Sequence, residues 1–162
     1  GRPFADLLDD IRRATRDPRV AGIYLELNEC SGGLAQAGEL RAALAEARSA
    51  GKEVVAYLET ANIFDLYLAG AATWVAASPT VQLLKTGVGG TSYYLADLLA
   101  NAGIQAQFVR TGPHKSGPEV YLQNGPSDEA REQYETYLKE IEEELVRGIG
   151  NDDPTRMERW RK

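Results

Sequence analysis

The sequence predicts an α/β domain built on a mainly parallel sheet. Two observations lead there. Short apolar runs of strand length alternate with segments whose apolar residues recur at helical spacing, the pattern of strands joined by right-handed helical crossovers. A length of 162 residues with 43% apolar content also suits a single domain with a real core.

The elements follow in order. Phe4, Leu7, Leu8 and Ile11 recur at helical spacing, so residues 4–15 read as an amphipathic helix. Asp17-Pro18 ends it, because proline disfavours helix in the residue before it. The run from Val20 to Leu27 reads as a mostly buried strand, and Gly32-Gly33 turns the chain into a helix over 35–50. That helix directs Ala37, Leu40, Ala43, Leu44 and Ala47 inward, and Gly51 stands just past its end, where a left-handed cap favours glycine. Val54 to Leu58 is the next strand, followed by a short helix over 62–70. Trp74 to Ala77 and Val81 to Leu84 read as two further strands. A helix over 93–102 precedes another strand, Gln105 to Arg110, and Thr111 to Gly125 reads as loop, punctuated by glycine and proline. Ser127 is a suitable N-cap, with Asp128 and Glu129 in the first turn, for a helix to about 147 that carries Ala130, Tyr134, Leu138, Ile141 and Leu145 on one face. The expected division is a module over 1–150 and a charged helix or tail over 151–162.

Composition excludes several functions. A formal charge of −6 argues against nucleic acid as a partner, which requires a basic face. One cysteine, Cys30, allows neither an internal disulfide nor a cysteine-rich zinc site, and one histidine, His114, leaves little for a metal. No metal or cofactor is expected. No run approaches the roughly 18 apolar residues of a membrane helix.

Two segments could carry chemistry. Cys30-Ser31-Gly32-Gly33 lies between a strand and a helix, where glycines let backbone N–H groups face an anion or oxyanion; a tight strand-to-helix turn is the plainer reading. Cys30 as a nucleophile needs a base and a lowered pKa, and nothing nearby in sequence supplies either. The second segment is Thr111-Gly112-Pro113-His114-Lys115-Ser116-Gly117-Pro118-Glu119. A lysine held there against apolar surroundings can serve as a general base if burial lowers its pKa from about 10.4 by roughly 2–3 units. The plainer reading is a solvated surface lysine. His114 has no evident partner, and Ser116 reads as a hydrogen-bonding neighbour of the lysine.

Together these segments resemble the signal peptide peptidase A, or protease IV, family within the crotonase/Clp-protease fold. The resemblance runs from Phe4 to about Gly148. Its most specific part is Gly112 to Glu119 leading into Ser127-Asp128-Glu129-Ala130-Arg131-Glu132, similar to a family block Gly-x-x-Lys-Ser-Ala-x-Glu that precedes a Ser-x-x-x-Arg-Glu helix start. Carried over, Lys115 falls on the general base of a Ser/Lys dyad. Aligning on Ala76-Ala77-Ser78-Pro79 places Ile63 where catalytic halves carry the nucleophilic serine. The family's Pro-Gly-Gly turn reads Ser31-Gly32-Gly33 here. Both departures resemble the amino-terminal half of the long, two-domain members.

The resemblance implies a lysine-donating half of a serine endopeptidase that degrades cleaved signal peptides, inactive alone. The serine comes from a homologous carboxy-terminal module. It further implies hydrophobic signal-peptide substrates, a homo-oligomer of tetramer-like ring form, and a place on the outer face of the bacterial cell membrane, with the anchor outside these residues. The alternatives are a non-catalytic oligomerisation module of the same fold, with Lys115 tethered to a carboxylate such as Glu119, and an acyl-CoA-binding crotonase-type enzyme, for which no basic cluster speaks.

Overall fold

The computed structural model describes residues 3–109 and 116–161. The chain is α/β, and its three described strands form one parallel sheet in the order β1-β2-β3. Two compact units divide it: residues 1–86 with 143–162, and residues 87–142.

The first unit holds the sheet. Helix α1 (Phe4–Arg16) buries Leu8 and Ile11 and ends at Asp17, as the Asp-Pro pair requires. The turn beyond is held by Lys52, whose ammonium donates to the carbonyls of Asp17 and Val20, both at 2.7 Å. Strand β1 (Gly22–Asn28) leads to α2 (Leu34–Ser49), which buries Ala37, Ala43, Leu44 and Ala47. Leu8, Ile11, Ala43, Leu44, Ala47, Val54 and Ala71 form the core, with Ile23, Leu25 and Leu40 packed against it.

Strand β2 (Glu53–Ala61) lies between β1 and β3 (Trp74–Leu83) and carries a bulge. Leu27 pairs with Leu58 and Asn28 with Thr60, so Glu59 is passed over on the β1 side. On the other side Ala77 pairs with Leu58 and Gln82 with Thr60, so Ser78 to Val81 bow out opposite the same residue. The bulge changes the inward phase: Val54, Ala56 and Leu58 are buried at alternate positions, and after the extra residue the next buried side chain is Ala61. The two expected strands over 74–77 and 81–84 are thus one interrupted strand. Its interruption holds Pro79, which has no N–H to give a ladder, and is turned by the Ser78 hydroxyl accepting from the Thr80 N–H at 3.3 Å.

Helix α3 (Ile63–Ala69) follows β2 directly. The end of α6 (Asp128–Gly150) lies in this unit: the Tyr67 hydroxyl donates to Glu144 at 2.7 Å, and a Cβ at Gly148 would collide with the Tyr67 ring. Helix α7 (Pro154–Arg161) closes the chain. No described helix is long and apolar enough to cross a membrane.

The second unit holds α4 (Ala96–Asn101), α5 (Glu119–Leu122) and the start of α6. The expected strand over 105–110 is corrected over its described residues, and Arg110 lies outside them. Residues 105–109 pair with no strand among the described residues, and Val109 is fully exposed. An apolar run of strand composition becomes a strand only when a ladder partner satisfies its backbone. The expected loop over 111–125 contains α5, which starts beside Pro118.

Candidate functional site

The first candidate region lies at the carboxyl ends of the strands. After β1, Glu29 takes a left-handed φ of 50°, and its N–H donates to the Thr60 carbonyl at 3.2 Å. Gly32, at φ 152°, completes the turn in a conformation side chains rarely adopt. Gly33 then caps α2 without any side-chain hydrogen bond.

This turn is fastened to the start of α3 by two side chains. Asp65 is fully buried, and its carboxylate accepts from the Cys30 N–H at 3.0 Å and the Asn62 N–H at 2.9 Å. Asn62 accepts from the N–H groups of Phe64 and Asp65 and donates its amide to the Cys30 carbonyl at 3.0 Å. The pair forms a reciprocal capping box, with Asn and Asp in the roles more often filled by Ser or Thr and Glu. A buried carboxylate is tolerable here because backbone donors meet both its oxygens.

Ile63, the first residue of α3, is half-buried beside this clamp. The first turn of α3 reads Ile63-Phe64-Asp65-Leu66, so it contains no hydroxyl or thiol to act as a nucleophile. Cys30 does not replace one. Burial, and then the neighbouring Asp65 carboxylate, push its thiol up to about 11, leaving it protonated at neutral pH. Beside the turn is an apolar recess of about 150 Å³, walled by Phe4, Leu7, Leu40, Phe64 and Leu68 and floored by the Cys30–Gly33 segment. The Gly-Gly turn is therefore a clamped structural corner opening on an apolar hollow.

The second candidate region belongs to the other unit. Lys115 and His114 lie outside the described residues, while Ser116 onward is described. The Glu119 N–H donates to the Ser116 carbonyl at 2.9 Å, closing a turn just after Lys115 in sequence. Glu119 is 3% exposed, and its carboxylate accepts from the Ser127 N–H at 3.0 Å and the Ser127 hydroxyl at 2.8 Å. The Ser127 oxygen in turn accepts from the Ala130 N–H at 3.2 Å, confirming the expected cap of α6. Helix α5 is tied to α4 by the Leu95 N–H on the Val120 carbonyl at 2.7 Å and by the Asn124 amide on Asp97 at 2.7 Å.

Sequence reasoning overlooked the Asn62–Asp65 pair and gave Glu119 only the role of a tether for Lys115. The first left a readable sign, a cap residue with an acid three positions on at the head of an apolar run. The second left only an acid eight residues before a helix cap, a spacing with no local meaning.

Comparison with known proteins finds the model of Peptidase family S49 matching residues 46–153. The chain is 25% identical to the chloroplastic serine protease SPPA of Arabidopsis thaliana over 151 residues, covering 93% of this chain and 22% of that protein. It is 25% identical to Protease 4 of Haemophilus influenzae over 155 residues, covering 95% and 25%. With Protease 4 of Salmonella typhi it shares 30% identity over 139 residues, covering 84% and 22%. The chain thus spans about a quarter or less of the length of these relatives.

Proposed function

Because the chain belongs to Peptidase family S49, we propose that it is the lysine-donating module of a Ser/Lys peptidase whose nucleophile comes from a second, homologous module. The family is consistent with the Clp-protease/crotonase-like form of the α/β fold seen here. One observation carries the split of labour: at the head of α3, where the family resemblance puts the serine, stands Ile63, and the only thiol nearby is held protonated.

In this reading neutral Lys115 takes the proton from the partner serine's hydroxyl as that oxygen attacks the scissile carbonyl. The proton then passes from Lys115 to the leaving amine, and the acyl-serine is hydrolysed by a water that Lys115, neutral again, deprotonates. The amine must be stripped of water to be neutral near pH 7, since its ordinary pKa is about 10.4. Hydrophobic peptides left by signal cleavage are the proposed substrates, and assembly into a homo-oligomeric ring on the outer face of the cell membrane is the proposed setting. This module alone should not cleave peptides.

Substitution tests the reading. In the full-length protein, Lys115→Ala should reduce kcat by at least about 10³-fold while assembly is retained, the size expected when a general base also activates the nucleophile. Wild-type turnover in that variant would instead favour a purely structural module.

A further inference from the structure

We infer that the second unit carries a groove for an extended apolar peptide, formed by the glycine-rich segment 87–92 and helix α6. The choice of a peptide as occupant rests on the reading of the protein as a peptidase for hydrophobic segments; the groove itself is built of described residues only.

Three glycines crowd the segment Gly87-Val88-Gly89-Gly90-Thr91-Ser92. Glycine costs conformational entropy on folding, and two local reasons commonly justify it. Gly32 and Gly148 show both in this chain, the one with a φ of 152° and the other with the Tyr67 ring where a Cβ would go. Neither reason holds for the three. None takes a left-handed φ, and a Cβ built at any of them would meet nothing within 4 Å. Glycines of that kind mark a place where another backbone approaches closely. The segment also offers such a backbone something to bind. From Gly87 to Tyr94 no main-chain group hydrogen-bonds to another described residue, whereas the N–H groups of Leu84 and Leu95 are held by the carbonyls of Ala61 and Val120. Unpaired N–H and C=O groups in a row are the template on which an extended segment adds as a strand.

The rest of the lining is a helix stripe. Tyr134, Tyr137, Leu138 and Ile141 stand at i, i+3, i+4 and i+7 on α6, the spacing of a face that helices ordinarily bury. Here they line an open groove of about 590 Å³ together with Val88 to Ser92, and the two tyrosines are 51% and 60% exposed. An extended peptide satisfies both parts at once. Its main chain pairs with the bare backbone, and its alternate side chains fall on the stripe. Tyrosine suits that task, since a rigid ring gives wide contact at little entropic cost.

The test uses the full-length protein and a peptide of about eight residues, alternating leucine and threonine, with one leucine replaced by photoreactive benzoylphenylalanine. After irradiation, peptide mapping should place crosslinks on 87–94 and 131–141. Gly89→Val and Gly90→Val each add a branched side chain where nothing in the fold is struck, and should lower that labelling by about tenfold or more at subsaturating peptide. The same peptide N-methylated at alternate residues keeps its side chains but loses main-chain donors, and should label no better than the valine variants do. Should those variants not fold, Tyr137→Ala, at an exposed position, decides by a loss of roughly three- to tenfold. Crosslinks elsewhere only, undiminished labelling in the folded variants, or equal labelling by the N-methylated peptide would overturn the inference. So would a lower oligomeric state of Gly90→Val in sedimentation velocity without any peptide labelling, which assigns the groove to a second copy. Lys115→Ala assayed in parallel separates the failures, since it should label as the wild type does. An active Lys115→Ala sinks the base and leaves a labelled groove standing, whereas an inactive one with no labelled groove sinks the groove alone.

Discussion

At the scale of the residue, the decisive contrasts are between side chains that look reactive and those that are placed to be. Cys30 sits in a glycine-rich turn, the setting in which a thiol is often activated, yet its environment does the opposite. Desolvation and the Asp65 carboxylate both oppose the thiolate and lift the thiol from about 9 to about 11. The sign of the linkage follows. A proton held more tightly in the folded than in the unfolded chain contributes stability that is complete below about pH 9 and is lost as pH rises through about 11. Alkylation of the native protein at pH 8 should therefore run well below the rate for the unfolded chain, and rapid stoichiometric labelling would contradict the assignment. Glu119 presents a contrasting case, a buried carboxylate that accepts from both the N–H and the hydroxyl of Ser127.

Among elements, the carboxyl end of β2 shapes the first region. The bulge at Glu59 moves the inward phase from Leu58 to Ala61, the last residue of β2 before α3 begins at Ile63. Much of this unit was legible in the sequence. The helices over 4–15 and 35–50 and the strand over 54–58 lie inside or within a residue of their observed bounds, because core burial enforces their periodicity. The bulge was not legible, since it depends on register with two neighbours, and it made one strand look like two. The strand expected over 105–110 failed for a related reason: composition cannot supply a partner. Close approach of α3 and α6 was equally hidden, because Gly148 stands just past the helix expected to about 147, where a glycine reads as a helix end and not as a packing contact. The structure gives one in the Tyr67 ring that lies where a Cβ would go. Gly148→Ala should destabilise the protein by about 1–3 kcal/mol despite alanine's better helix propensity, a loss readable in urea unfolding. A neutral or stabilising result would mean that the helices do not meet there.

At the scale of the whole molecule, the sheet leaves large apolar side chains exposed. Alternate residues of the sheet away from the α1–α2 core include Tyr24 and Trp74, which are 63% and 68% exposed, and β3 is exposed along most of its length. An edge strand with exposed apolar residues on its face is a surface that soluble proteins ordinarily cover. The proposed chemistry also belongs to this scale, because the lysine becomes a base only if neighbouring modules exclude water from it. Its proton affinity in the assembled full-length protein, followed by nitrogen-15 NMR of the lysine ammonium, tests that claim most directly. Desolvation on assembly predicts that Lys115 loses its proton near or below about pH 8. Titration at about 10.4 in the assembled protein would contradict the account.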